Sequence, residues 1–395
     1  MSSRSRVPAP RYAHVRYPWR AEVQRGSPLP ARFYASVIGQ ALRYGLPASR
    51  TPGAAWALAA RVGAPEGVLA AAIRRLPGRP RPDLDVLVAE IRSRWAELAD
   101  RATALPESPP ELSVLALQRA AALTVFLFGS DPRPLLVLKL PAAGDPRVDL
   151  EVVALEVAEA AGVSPRYLGR VGEARVQEGL TGSPLRVGAL KPEGAAELVW
   201  SPAMAEVAEG IAKLGAATAD GRPQREIVPQ MELALAYDGL DSRTRRLLAA
   251  AWADVRRSGS SVLRHRDTSP QNCLVSGERL AGIVDWELAV PRGGPGFDVW
   301  NLGLSSMEYG LGLTRWSQEL VAETFARSWP ASPFWRGARA AARRAALAGG
   351  AAERDLDALE LCFFGSRIGD RLEFPGRHPT RPATAALNLE VVLNA

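Results

Sequence analysis

Apolar residues change their spacing at one point in this chain, and that change limits the fold more than any other feature. Up to about residue 105 they recur at helical intervals, as in 31-ARFYASVIGQALRYG-45, 65-PEGVLAAAIRRL-76 and 84-LDVLVAEIRSRWAELADRATAL-105. The first two stop at Gly or Pro, and 77-PGRPRPD-83 reads as a linker. Pro106 and 108-SPP-110 end the pattern. Beyond them come runs of strand length: 111-ELSVLALQ-118, 122-ALTVFLFG-129 and 134-PLLVLKLP-141, the last two joined through a hairpin turn at 129–133. A helix over 148-VDLEVVALEVAEAA-161 closes at Gly162, and 166-RYLGRV-171 and 174-ARVQEGL-180 read as two more strands. After about 200 the chain is mainly helical. The sum is α+β: a small antiparallel sheet with one helix, then a larger helical body, behind a helical extension.

Composition removes several alternatives. The longest apolar run, 121-AALTVFLF-128, fits a buried strand, and no window approaches the roughly 18 apolar residues of a membrane span. The N-terminus lacks the apolar core of a secretory signal, and a cytoplasmic protein is expected. Two cysteines without a spacing pattern exclude a disulfide scaffold and a zinc ribbon. A net charge of +7 over 395 residues, with no long basic block, argues against a nucleic-acid partner. The basic residues are nearly all Arg, the only lysines being Lys139, Lys191 and Lys213. Where Arg is so strongly preferred, a retained Lys needs a reason.

Chemistry concentrates in 263-LRHRDTSPQNCLVSGERLAGIVDWELAV-290. Asp267 and Asn272 fall at either end of a turn, and Asp285 ends the strand that follows the hairpin at Gly277. Carboxylate and amide oxygens brought together in this way suit Mg²⁺, a hard cation with oxygen ligands. Phosphoryl transfer needs such a cation, because charge on the phosphate oxygens repels a nucleophile. The remaining Asp would orient the attacking hydroxyl and take its proton. Taken singly, an Asp before a turn is commonly a turn-former and a lone Lys in a strand can snorkel out. The joint pattern is much harder to obtain from turn chemistry.

His265-Arg266-Asp267, then Asn272, then Asp285-Trp286-Glu287 resembles the catalytic and metal-binding loops of the aminoglycoside phosphotransferase/choline kinase family, over roughly residues 110–390. The resemblance implies a bilobal protein-kinase-like fold: an N-terminal helical extension at 1–108, a small lobe at 109–182 and a larger lobe at 183–395 carrying the acceptor pocket. It implies Asp267 as catalytic base, Asn272 and Asp285 as Mg²⁺ ligands, and His265 as a packed support of the loop. Lys139 would hold the α/β-phosphates, steadied by Glu151, with Glu156 as the competing partner. Backbone groups near Glu178 and Leu180 would meet the adenine edge, and Asp298 would bond back to the catalytic loop.

Two departures stand out. The phosphate-covering loop of the family would fall at 118-QRAA-121, which contains no glycine. Ser269 occupies the position where a protein kinase has Lys, and no Ala-Pro-Glu follows Asp285-Trp286-Glu287, which favours a small-molecule acceptor. The expected function is therefore an ATP-dependent kinase, GTP being the other candidate nucleotide, acting with Mg²⁺ on a hydroxyl of a sugar, aminoglycoside-like compound or other small metabolite. The last 100 residues carry Arg as freely as Asp and Glu, which argues against a polycationic acceptor. The alternative is an inactive, nucleotide-binding scaffold, favoured by the glycine-free loop and opposed by Lys139, Asp267, Asn272 and Asp285.

Overall fold

The computed structural model describes residues 21–23, 82–110, 112–118, 122–129, 134–141, 148–187, 199–224, 227–310, 329, 332–373 and 382–394. The helices expected at 31–45 and 65–76, most of the 77–83 linker, the turn at 130–133 and positions 119–121 lie outside them. So do His14, Lys191, Trp316 and His378. The described residues gather into two compact units. One holds those up to 145 together with Tyr167–Gly179, the other those of 146–166 and from 180 onward.

In the first unit six strands form one antiparallel sheet: β1 (Ala21–Val23), β2 (Ser113–Gln118), β3 (Ala122–Phe128), β4 (Pro134–Pro141), β5 (Tyr167–Val171) and β6 (Ala174–Glu178), in the order β1-β2-β3-β4-β6-β5. Alternation along the strands separates two faces. Leu123, Val125, Leu127, Leu136, Leu138, Ala174 and Val176 share a single core with Leu87 and Ile91 of α1 (Pro82–Ser93) and Trp95 and Leu98 of α2 (Trp95–Arg101). Each fully buried side chain of this size contributes about 2 kcal/mol of transfer free energy, so the two helices are part of the sheet's hydrophobic core. The intervening positions Thr124, Lys139, Arg175 and Gln177 are buried on the other face.

The helix expected over 84–105 is broken and shortened, for visible reasons. It already starts at Pro82, a residue tolerated in the first turn. At Arg94 the backbone leaves helical geometry, and the guanidinium reaches Glu97 and the carbonyl of Arg170, 2.6 Å away. After Arg101 the chain extends, because the Glu178 carboxylate accepts the N–H groups of Thr103 and Ala104 and the Thr103 hydroxyl. The Trp95 indole donates to the Pro106 carbonyl and holds the return of the chain.

The second unit opens with α3 (Val148–Ala160) and is otherwise mainly helical. Among the described residues the α-helices after β6 are α4 (Pro202–Thr218), α5 (Val228–Ala236), α6 (Ser242–Ser258), α7 (Phe297–Gly310), α8 (Pro333–Ala348), α9 (Leu356–Glu373) and α10 (Pro382–Asn394). Three of them start on side-chain caps. Ser201 accepts from the Met204 N–H, Ser332 from the Trp335 N–H, and Asp241 from the N–H groups of Arg243 and Thr244. Bonds from Thr244, the largest cause, hold the Asp241 carboxyl below its usual range. Phe297, Trp300, Trp329, Trp335, Phe363 and Phe364 form the aromatic centre of this unit. Short ribbons complete it. β7 (Ser183–Pro184), β9 (Cys273–Ser276) and β10 (Arg279–Ile283) pair in the order β10-β9-β7, and β8 (Val262–Arg264) pairs with β11 (Val290–Gly293). The β9–β10 hairpin turns at Gly277, whose φ of 62° suits a residue without a Cβ.

Candidate active site

Two chain segments of the second unit hold Asp267, Asn272 and Asp285: the turn between β8 and β9, and the exit of β10. Asp267 lies at the first. Its N–H donates to His265 Nδ1 at 3.2 Å, and its carbonyl accepts the Ser269 N–H at 2.8 Å. Asn272 closes the turn. The Asn272 Nδ2 group donates to both the carbonyl and Oδ2 of Asp267, each at 2.9 Å. One amide therefore fixes the carboxylate and the backbone carrying it.

The second segment is tied to the first at two points. The Val284 N–H donates to the Asn272 carbonyl at 2.9 Å, and His265 Nε2 lies 2.9 Å from the Val284 carbonyl. Since Nδ1 accepts from Asp267, Nε2 is the protonated nitrogen and donates to Val284. His265 is almost fully buried and packs edge-on against Trp286, with centroids 4.6 Å apart. It is a strut between the two loops, and its ring nitrogens are both engaged.

Asp298, at the start of α7, anchors the turn between β8 and β9. Its carboxylate accepts the N–H groups of His265 at 2.6 Å and Arg266 at 3.0 Å, and Arg264 Nε lies 3.5 Å from it. The Asp298 carbonyl accepts the Thr268 hydroxyl. Arg266 and Asp285 are the two non-glycine residues with positive φ among the described residues, at 69° and 73°. Left-handed backbone costs an L-residue about 1–2 kcal/mol, somewhat less for Asp. Strain thus sits next to Asp267 and at Asp285 itself, and for Arg266 the Asp298 bonds sustain it.

Sequence reasoning missed three supports. Asn301, one helical turn after Asp298, lies 3.5 Å from the Thr268 hydroxyl and accepts from Arg367 at 2.6 Å. Asp370 pairs with Arg266 at 3.4 Å, which makes Arg266 a loop-bracing charge. Arg367 and Asp370 lie three apart on α9, a spacing that puts both on one helix face. That spacing is the only local signal they leave. Beneath the turn, burial first and then the carboxylates of Asp267 and Asp298 push the Cys273 thiol above its ordinary range.

In the first unit Lys139 is 8% exposed, in the middle of the sheet and not at a strand end where it could snorkel out. On α3, Glu151 is 2% exposed whereas Glu156 is exposed to solvent. The Gly179 N–H donates to the Leu135 carbonyl. In the antiparallel pattern this makes Glu178 and Leu136 a non-hydrogen-bonded pair, so the Glu178 N–H and carbonyl face away from β4. The Glu178 side chain is occupied with Thr103 and Ala104. Leu180 is half-buried.

The profile of the phosphotransferase enzyme family (APH) matches residues 113–340, more than half of the chain. The chain belongs to this family. Its activity is that of a phosphotransferase acting on a hydroxyl acceptor, and its α+β fold is the kinase-like one expected from the loop motifs. Solved structures similar to this phosphotransferase include a choline/ethanolamine kinase family protein from Mesorhizobium loti, at 18% identity and a TM-score of 0.43, covering 78% of this chain and 95% of that one. A macrolide 2'-phosphotransferase from Brachybacterium faecium has 19% identity and a TM-score of 0.36, with coverages of 76% and 98%. Plasmodium vivax ethanolamine kinase has 12% identity and a TM-score of 0.41, with coverages of 77% and 87%. No curated protein matches the chain. The family assignment rests on the sequence profile.

The donor set of the phosphotransferase fits Mg²⁺. Both amide bonds of Asn272 use Nδ2, which leaves Oδ1 for a cation, and Asp285 adds a carboxylate one residue after the Val284 bond. Among the described residues no cluster of three or more His, Cys, Asp or Glu could hold a metal ion. Mg²⁺ needs none, since it takes one or two protein oxygens and fills its octahedron with water and phosphate. No helix among the described residues is long and apolar enough to cross a membrane.

Proposed function

We propose that this phosphotransferase moves the γ-phosphoryl group of ATP, with GTP as the other candidate, to a hydroxyl of a small molecule. The observation that carries this reading is the Asn272 clamp on Asp267. An amide that donates to the carboxylate through Nδ2 orders the base and leaves Oδ1 on its far side for a cation. Asp267 would accept the proton of the acceptor hydroxyl as its oxygen bonds to the γ-phosphorus and the bond to the β–γ bridging oxygen breaks. Asn272 Oδ1 and Asp285 would hold Mg²⁺, which when bound neutralises charge on the phosphate oxygens. Lys139 would grip the α/β-phosphates, with Glu151 as its steadying carboxylate. The Glu178 and Leu180 backbone would meet the base of the nucleotide. We read 109–182 as the phosphate-binding part and 183–395 as the part that carries the catalytic turn and the acceptor pocket. Acceptors of the sugar or metabolite type fit the mixed charge of the C-terminal region better than polycations do.

Calorimetric titration with Mg²⁺-ATP and Mg²⁺-GTP, followed by nucleotide consumption against pooled hydroxylated metabolites, tests the reading. Asp267→Asn should bind nucleotide as the unchanged chain does and lose about 10²–10⁴ in turnover, or roughly 3–5 kcal/mol of barrier. Full turnover by Asp267→Asn removes that residue from its role. Nucleotide binding with no turnover on any pool favours the scaffold alternative.

A further inference from the structure

The apolar face of the six-stranded sheet carries a carboxylate. Register pairs Glu178, the last residue of β6, with Leu136 of β4, which is fully buried in the core that α1 and α2 complete. Directly paired residues point to the same face, so the Glu178 side chain is directed toward that core, and the residue is only 6% exposed. Val176, two places earlier in β6, shows the apolar choice for this face. A carboxylate here is costly unless donors meet it.

The donors come from the chain that leaves α2. Glu178 Oε1 accepts the Ala104 N–H at 2.6 Å, and both carboxylate oxygens lie 3.0 Å from the Thr103 nitrogen and 2.8 Å from its hydroxyl. The donating segment is itself fixed, since Ala102 and Leu105 pack against the same core and the Trp95 indole donates to the Pro106 carbonyl at 2.8 Å. Thr103 and Ala104 are exposed, so they contribute these bonds and little packing. The Glu178 backbone is steadied as a result. Its N–H and carbonyl face away from β4, while the next residue, Gly179, is bonded to the Leu135 carbonyl. A side chain gripped at both oxygens leaves that peptide edge one orientation.

We infer that Thr103 is a positioning residue for nucleotide binding: through the Glu178 carboxylate, the N-terminal extension holds the backbone edge that meets the base. The inference rests on the nucleotide-binding reading above and adds the extension to it. Without the grip, that edge has to be ordered each time a base binds, and ordering the backbone of one residue weakens binding about tenfold.

The test separates the base from the phosphates. Mg²⁺-ATP, adenosine and Mg²⁺-tripolyphosphate, or the guanosine series if that base is the one bound, are titrated calorimetrically into the unchanged chain, Thr103→Val, Thr103→Ser, Glu178→Gln and the double variant Thr103→Val/Glu178→Gln. Thr103→Val loses the hydroxyl donor, so the triphosphate and the nucleoside should weaken together by about tenfold while tripolyphosphate is unchanged, the loss expected for a hydrogen bond to a charged group. Thr103→Ser keeps the hydroxyl and should restore both. The double variant should bind the base no more weakly than Glu178→Gln, because both changes act through one contact. Unchanged triphosphate and nucleoside binding in Thr103→Val overturns the inference and leaves the nucleotide-binding reading intact. Equal weakening of tripolyphosphate assigns the contact to holding the fold and also overturns it. Failure of the unchanged chain to bind either triphosphate overturns both readings.

Discussion

Asp298→Asn is the substitution whose effect follows most directly from the geometry. The side chain keeps its shape, but only one of its two terminal atoms can still accept a hydrogen bond. The His265 N–H, at 2.6 Å, or the Arg266 N–H, at 3.0 Å, then faces an amide NH₂. A buried donor left without an acceptor costs about 1–3 kcal/mol. Arg264, 7% exposed and 3.5 Å from the carboxylate, loses its opposite charge as well. Removing one partner of a buried pair costs about 3–5 kcal/mol, although packing of Arg264 over the Phe297 ring at 4.9 Å softens the loss. With that softening, about 3–5 kcal/mol of local destabilisation is expected in the turn that carries Asp267.

Hydrogen exchange followed by mass spectrometry reads this change at the amides that matter. A peptide spanning 262–268 should exchange roughly 10²–10⁴-fold faster in Asp298→Asn, a factor of ten corresponding to about 1.4 kcal/mol. Asp370→Asn is the control. Its bond to Arg266, at 3.4 Å between partly exposed groups, should contribute well under about 1 kcal/mol. Equal protection of 262–268 in Asp298→Asn and the unchanged chain would refute the argument that this carboxylate sustains the turn. So would an equal effect of the two substitutions.

Three further outcomes are expected. Gly179→Ala places a Cβ 1.8 Å from the Pro134 carbonyl oxygen and should destabilise the first unit by about 3 kcal/mol or more in urea titration, a value under about 1 kcal/mol contradicting the close approach. Glu178→Ala leaves the Thr103 and Ala104 N–H groups without their acceptor, and should open the 101–106 segment to exchange and proteolysis at a cost of about 2–4 kcal/mol, with the catalytic turn unaffected. Cys273 and Cys362 are buried with thiols pushed above their ordinary range, so a disulfide reagent at about pH 8 should label neither until denaturant is added; rapid labelling of the folded chain contradicts their burial.

The turn that joins Asp267 to Asn272 was legible in the sequence because its contacts are local. Asp267 and Asn272 are five residues apart, near enough along the chain for the amide to reach back to the carboxylate. Asp285 follows from the hairpin at Gly277, since antiparallel pairing of β9 and β10 returns the chain to the level of Asn272. Other features depend on distant parts of the chain, and no spacing rule reaches them. Arg266 and Asp370 lie 104 residues apart, and Asn301 and Arg367 lie 66 apart. The end of α2 was set by Glu178, more than seventy residues away, whose carboxylate outcompetes the helix for two N–H groups. Lys139, Arg175 and Arg170 stand in one row only because of register, and register is chosen by which apolar residues the whole sheet buries. Sequence determined the chemistry at each position. Tertiary structure decided which charges became neighbours, because burial of one face of a sheet fixes what stands together on the other.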